Sequence, residues 1–556
     1  MDLLSGLPKV ILHDIFARLP DKDAAKTIAL SKAWRDTWSS FPYLSVSSND
    51  FLATHYSGCS RNSWFHKMDI LIDYVTKRLL RLHDQGLTIK EFKLNLRDLI
   101  EPTYVSHHVN QWIQMASESG IEVIELYLSV GYIWRKYHVD NSYDLPLCVF
   151  ENKSLTKLIL AFGIRFNHEL FSNHSMKFSS LKMLCLVQVL FTEERVIENL
   201  LSHCPLIEDF TMAYCYVYNH LSTEDSVEGS MNNGHWVKSL FLHGLKNLKK
   251  VDVRGVHQLH IDSPNLENLC YESLVLDAPI QLNFSSCTNF TCFHLLSLKD
   301  TTIADKWILE LFSKLPFLES LELCHCFLSK RINIISDQLK VLKLCHCSNL
   351  NEVNIDAPNL KSLDYHGYDK PVISFMRSSN QLQVSVSTHV DYRYFYSLRD
   401  FIRNIPEKIS ASLSVFVIRP IRDNSYLIPA LQFFSNIPPS IKHLELKEHS
   451  YPNNKAAYGS LMNWLLSSCF PETFSFRYFD SYAFIEFFHE MLMGNKRGEC
   501  YCSSYNRKCW WHALKIAKFS CSFMAADEDA DFKAMLDASP NSHEEKTITF
   551  SFSLEL

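Results

Sequence analysis

The chain has 556 residues, 47% of them hydrophobic and 21% charged, with a formal net charge of −6. This composition supports large buried cores over about three to four domains' worth of sequence and excludes a disordered polypeptide. The acidic balance argues against nucleic acid or an anionic membrane as partner, since both are normally met by a basic excess. Only 14 glycines occur, which disfavours folds that bring backbone close to phosphates. No stretch approaches the roughly 20 unbroken apolar residues of a membrane span. The N-terminus carries Asp2, Lys9, His13 and Asp14 where a secretory signal would be apolar. Seventeen cysteines, an odd number in a long chain, read as reduced thiols of an intracellular protein, cytoplasmic, nuclear or both.

The first forty residues predict three short helices. Pro8 suits a first helical turn, and Val10, Ile11, Leu12, Ile15, Phe16 and Leu19 follow at helical spacing until Pro20. Asp21 or Asp23 can cap a second helix, and Ser31 a third that carries Trp34 and Trp38. So small a unit cannot stabilise itself and must lean on a neighbour or a partner. Its residues closely resemble the plant-type F-box: Leu7-Pro8, Ile11-Leu12, Ile15-Phe16, Leu19-Pro20, Asp23-Ala24-Ala25, Leu30-Ser31-Lys32 and Trp34-Arg35, with Lys9 where an acidic residue is common. The resemblance implies docking on a Skp-family adaptor and, through it, a cullin-based ubiquitin ligase. The expected adaptor surface is Leu7, Pro8, Ile11, Ile15, Leu19, Leu30 and Trp34.

After a Ser-rich stretch and a helical pattern at Met68–Leu82, an apolar-x-x-apolar-x-apolar template recurs. Its copies start at Leu155, Leu181, Ile207, Val237, Leu318, Leu339, Leu360 and Ile441, with shorter copies at Leu248, Leu266 and Leu350. Steps near 26 residues fall in the leucine-rich-repeat range of about 20–29. Each copy would turn alternate side chains inward from a short strand, and stacking would supply the core that a single copy lacks. The intervening RVIENLLSHCP and KWILELFSKLP have helical spacing and predict convex return helices. The pattern resembles the irregular repeats of plant F-box/leucine-rich-repeat proteins. The expected class is α/β: an F-box over residues 1–45, a linker and helix over 46–87, a parallel-sheet solenoid over 88–450, and a cap over 451–556. Within the last region the pattern predicts helices near SLMNWLLSS, FIEFFHEMLMG and ADEDADFKAMLDAS and strands at FPETFSF, near CWWHALKIAKFSCSF and at the terminus.

Enzyme signatures are missing: there is no GxGxxG, HExxH, GxSxG or kinase set, and the Gly229–Gly234 spacing is followed by His235 in place of the phosphate-binding lysine. Two cysteine features bear on metal. Cys324-His325-Cys326 and Cys345-His346-Cys347 could supply four soft ligands, or repeat periodicity could place a small buried cysteine at one turn position twice. Cys500, Cys502, Cys509 and His512 have ligand types at looser spacing. Repetition explains the first pair without an ion, so no metal, cofactor or catalytic residue is assigned.

The function expected is a non-catalytic substrate receptor, with the F-box holding the ligase and the repeats holding a protein target. A small-molecule receptor on the same architecture and an adaptor-bound scaffold are the alternatives. Inward leucines are consumed by packing, so target contacts fall to outward positions: Lys182, Lys238, Glu319, Glu322, Lys340 and Lys343, with Tyr214, Tyr216 and His325 near strand ends. Their mixed charge favours a protein over a polyanion.

Overall fold

The computed structural model describes residues 7–19, 21–48, 61–99, 102–130, 142–166, 178–218, 234–274, 279–284, 291–369, 371–390, 410–417, 440–447, 469–478, 514–521 and 546–554. These fall into two compact units, Met1–Phe293 and His294–Leu556.

The first unit opens with helices α1 (Lys9–Ala17), α2 (Asp21–Lys26) and α3 (Lys32–Ser39). Ser31 caps α3 by accepting from the Trp34 N–H, as its position predicts. Directly after α3 comes a strand, Tyr43–Ser47, which is the first rung of a parallel sheet. The rungs continue through Glu91–Leu99, Val123–Val130, Lys157–Ala161, Met183–Val187, Asp209–Ala213, Lys250–Arg254 and Asn268–Glu272, each pairing in parallel with the one before. The span expected as linker and helix, 46–87, gives its first two residues to the first rung. Its helix α4 (Arg61–Asp84) buries Met68, Leu71, Val75, Leu79 and Leu82 and packs against α5 (Pro102–Glu118).

The second unit repeats the design. Leu295–Lys299, Ser320–Cys324, Val341–Cys345, Ser362–Gly367, Gln383–Val390, Ser410–Val417, Ser440–Lys447 and Phe470–Tyr478 form a parallel ladder. Two antiparallel strands, Lys546–Leu554 and Leu514–Cys521, then add to the Phe470–Tyr478 edge. They cover backbone donors and acceptors that would otherwise template association. The three strands predicted in this region are found, while its three predicted helices lie outside the described residues.

Inward positions are filled as the template requires: Leu184, Leu240, Leu321 and Leu342 are all sealed from solvent. Two features differ from the expectation. The copy starting at Val237 is not a main-sheet rung. Its strand, Ser239–His243, pairs with Gln258–Asp262 in a separate three-stranded parallel sheet, and the shorter copies at Leu248 and Leu266 supply the rungs. Return segments are helical at Arg195–Ser202 and Asp305–Lys314. In the tighter repeats they are strands, Arg331–Ile335, Glu352–Ala357 and Val372–Ser378, forming a second parallel layer. A return of this length cannot hold a multi-turn helix and still reach the next rung at 3.3 Å per extended residue.

Candidate functional site

The N-terminal helices enclose a small aromatic core. Phe16 sits edge-on to Trp34, Trp38 and Phe41 at ring distances of 5.3, 5.4 and 5.4 Å, with Leu12 and Ala24 completing the cluster. Trp34, expected on the adaptor surface, is only 3% exposed: its indole is the wedge between α1 and α3 and supports the outer face from behind. Leu7 and Ile15 are half-buried against the same core. The exposed apolar residues of the unit are Pro8, Ile11 (45% exposed), Leu19 and Leu30 (60% exposed), together with Val10 (74% exposed). Val10 was not in the expected set. The signal for it was an apolar residue beyond those that the buried stripe through Leu12 and Phe16 can use.

This helical unit is fixed to the repeats by Arg78 of α4. The guanidinium is buried, donates from Nη1 to the Trp38 carbonyl (2.8 Å) and from Nη2 to the Phe41 carbonyl (3.3 Å), and lies 3.8 Å from the centre of a Trp38 ring. Charge-assisted bonds and a cation–π contact in a water-poor setting are strong ones. Arg78 therefore satisfies carbonyls at the C-terminus of α3 and sets the angle at which the exposed apolar face leaves the repeats.

The outward face of the first unit's main sheet has a patterned centre. Across consecutive rungs the register runs Lys93, Glu125, Ile159, Cys185, Thr211, Asp252, Cys270, and two residues further along each strand Tyr127, Ala161, Val187, Ala213, Arg254, Glu272. Small and uncharged side chains thus occupy the middle. On one side lies a chain of ion pairs, Glu91–Lys93 (2.9 Å), Lys93–Glu125 (3.7 Å) and Glu125–Lys157 (2.8 Å); on the other is Arg254–Asp252 at 2.6 Å. Burial, with Asp252 and Asp209 nearby, pushes the Cys185 thiol up to about 11.

The expected target residues divide between the units. In the first, Lys182 is exposed and pairs with Glu208 at 3.3 Å. Tyr214 follows a rung in left-handed backbone (φ 51°), donates its hydroxyl to Glu272, and its ring lies over Gly255. Any side chain at Gly255 would meet that ring at 2.8 Å, so glycine is required there both for this approach and for its own φ of 75°. Tyr216 and Lys238 lie off the main sheet. Tyr216 belongs to a five-stranded second layer and meets Trp236 edge-on at 5.4 Å, while Lys238 precedes the strand that leaves the main ladder. In the second unit the structure brings together Glu319 with Lys340 (2.5 Å) and Glu322 with Lys343 (2.7 Å), with His325 exposed beside them. His325 stacks on His346 at 4.9 Å, and His346 meets His366 at 4.2 Å.

Sequence reasoning missed a hydroxyl-rich face on the later rungs. Ser412, His443 and Thr473 share one row, and Ser414, Glu445 and Ser475 the next. Thr473 Oγ1 donates to the Lys442 carbonyl (3.1 Å) and therefore accepts from His443 Nδ1 (2.7 Å). That leaves His443 Nε2 to accept from Ser475 Oγ (2.9 Å), while Ser414 donates to Glu445 (2.8 Å). The visible signal was the alternation VSVS, SLS and TFS, a strand with hydroxyls on one face.

Cys326 and Cys347, two of the four sulfurs weighed as soft ligands, are consumed by the fold. Each is buried and donates Sγ–H to a carbonyl of the preceding rung, Leu298 (3.5 Å) and Leu323 (3.3 Å), as Cys215 does to Leu186 (3.5 Å). The recurrence of cysteine is thus a repeat position. Among the described residues no three His, Cys, Asp or Glu side chains converge as a metal site; Cys500, Cys502, Cys509 and His512 lie outside those residues.

A short helical unit with an exposed apolar face, seated on stacked LxxLxL rungs, defines an F-box protein with leucine-rich repeats. The comparisons agree: the F-box domain matches residues 4–45, and the At1g61320/AtMIF1 LRR domain matches residues 79–229 and 281–483. The chain belongs to this plant F-box/leucine-rich-repeat family. Among similar proteins of Arabidopsis thaliana, the F-box/LRR-repeat protein At3g58880 is 29% identical over 50% of this chain and 54% of its own length. The F-box protein At1g49610 is 26% identical over 57% and 70%, and the F-box/LRR-repeat protein At2g42720 is 28% identical over 38% and 43%. The chain spans about half the length of most of these relatives. No described helix is long and apolar enough to cross a membrane.

Proposed function

We propose that the protein is the substrate-recognition subunit of a Skp–cullin–F-box ubiquitin ligase, without catalytic residues of its own, working in the cytoplasm, the nucleus or both. The observation that carries this reading is the apolar face of Pro8, Val10, Ile11, Leu19 and Leu30, exposed on helices that Arg78 holds rigidly to the repeats. Exposed clusters of this kind mark protein interaction sites. A Skp-family adaptor covers the face, and the outward sides of the main sheets, including Lys182, Tyr214, Glu319, Glu322, His325, Lys340 and Lys343, present the target surface. Rate is gained by proximity, since a held target meets the ubiquitin-carrying enzyme at raised effective concentration. The test is binding of a purified Skp-family adaptor to the full chain and to Val10→Ala/Ile11→Ala/Leu30→Ala. Binding by the parent and its loss in a folded triple variant support the reading. Equal binding by both overturns it.

A further inference from the structure

The duplicated Cys-His-Cys run holds a second pair of thiols that the repeat architecture does not use. Cys324 and Cys345 are register partners at the ends of neighbouring rungs, both half-buried on the outward row Lys299, Cys324, Cys345, His366. As register partners they turn their side chains to the same face of the sheet. Neighbouring parallel strands run about 4.8 Å apart, inside the roughly 4.4–6.8 Å between Cα atoms that a disulfide spans. Other outward cysteines lack such a neighbour: Cys185 faces Thr211, and Cys270 faces Asp252. Cys326 and Cys347 also approach one another but are sealed in the core and donate to backbone carbonyls.

We propose that Cys324 and Cys345 form a modification site: a dithiol that a peroxide converts into a reversible cross-rung disulfide. The neighbouring Cys324 thiol holds Cys345 below the ordinary thiol range, against burial and the nearby Cys347 and Glu322, with Lys343 adding a smaller pull downward; Cys345 in turn pushes the Cys324 thiol up. The pair shares one readily lost proton, and the proposed step takes Cys345 as the attacking thiolate. Its sulfur attacks one peroxide oxygen, the O–O bond breaks, and the departing hydroxide takes up the proton that Cys345 released and leaves as water, giving a sulfenic acid on Cys345. The Cys324 sulfur then attacks the Cys345 sulfur. The S–O bond breaks, and the second oxygen departs as water with the Cys324 proton. Two thiols are oxidised and one hydrogen peroxide is reduced to two waters. An external dithiol reverses the bond by exchange, for which partial exposure leaves it open. The site stands whether or not the sheet face receives a ligase target.

The test exposes the full-length protein to stoichiometric hydrogen peroxide and maps free and paired cysteines by differential alkylation and mass spectrometry. The expected result is a Cys324–Cys345 cross-linked peptide that disappears on dithiothreitol treatment. Cys345→Ser should abolish the cross-link and leave Cys324 alkylatable, whereas Cys347→Ser should retain it. Phenylarsine oxide, which bridges neighbouring dithiols, should protect Cys324 and Cys345 together from alkylation in the unmodified chain, so the proposal remains testable if a variant misfolds. A sulfenic or sulfinic acid on Cys345 with no cross-link, pairing of either cysteine elsewhere, or failure of the arsenical to protect both would overturn it.

Discussion

Leu30 and Trp34 are near neighbours in the chain, yet the first is exposed and the second is sealed among Phe16, Trp38 and Phe41. Their substitution should therefore read out differently. Leu30→Ala or Ile11→Ala should leave the melting temperature close to that of the parent and weaken adaptor binding by about 2 kcal/mol or more each if they are hot spots. Trp34→Ala should cost about 3–5 kcal/mol of stability through its cavity and weaken binding only as the helices loosen. Calorimetric titration beside thermal melts separates the two outcomes. The sequence marked both residues as part of one motif. It could not assign them to inside and outside, because both are apolar residues flanking the same cap, Ser31, with no periodic partner between them. His443 supports a prediction of another kind. Burial lowers its pKa from the ordinary 6.5, against a smaller opposing pull from Glu445. The unfolded chain thus binds a proton at higher pH than the folded one, and stability should fall as pH drops below about 6.5 until the folded value is reached. Urea unfolding from pH 7.5 to 5 should show a shallower decline for His443→Gln; parallel curves would remove His443 as a source of the slope.

At the level of the strand, the template was legible and its address was not. LxxLxL records only that alternate side chains are buried on one side, and the second-layer strands meet that condition as well as the main rungs. VKSLFL could therefore read as a rung although it pairs in the other layer. The hydroxyl rows of Ser412, Ser414, Thr473 and Ser475 escaped notice because outward serines have no periodic apolar signature of their own. Energetic weight should follow burial and not charge. Leu321→Ala should cost about 2–5 kcal/mol. Its neighbour Glu322, in an ion pair open to solvent, should change stability by no more than about 1 kcal/mol when replaced by Ala. Chemical denaturation of the two variants checks the ordering, and similar losses for both would contradict the assignment of inward and outward faces.

For the molecule as a whole, the boundary between the N-terminal helical unit and the repeats is not a flexible joint. Tyr43–Ser47 is both the exit of the helical unit and the first rung, and Lys90 and Glu91 donate their amides to the Pro42 carbonyl. A chain starting at residue 64 would lose that rung, bare the edge of Glu91–Leu99 and leave Arg78 without the Trp38 and Phe41 carbonyls. Such a truncation should aggregate or melt earlier than the full chain by size-exclusion chromatography and calorimetry. A full-length Val10→Ala/Ile11→Ala/Leu30→Ala variant should stay monodisperse and, under the proposed function, lose the adaptor while its repeats remain intact. If the truncation proved as stable as the parent, the shared rung would not be a structural joint. Composition and motif spacing made the two-part plan readable. They did not reveal the rung between the parts, because YLSVS carries only a fragment of the repeat template.

The residue that follows a rung takes a left-handed backbone at Phe162, Gln188, Tyr214, Asp300, His325 and His346, with φ between 51° and 61°, and none of these side chains is buried. Such a conformation normally favours glycine, and another residue held there carries a cost of about 1–2 kcal/mol. Because the backbone angle is nearly constant from rung to rung, an aromatic ring, an amide, a carboxylate and an imidazole all leave the sheet in the same direction. The rim works like movable type in a fixed frame: any one letter can be exchanged without resetting the leucines behind it. Related chains could rewrite what their rims read while keeping the same page.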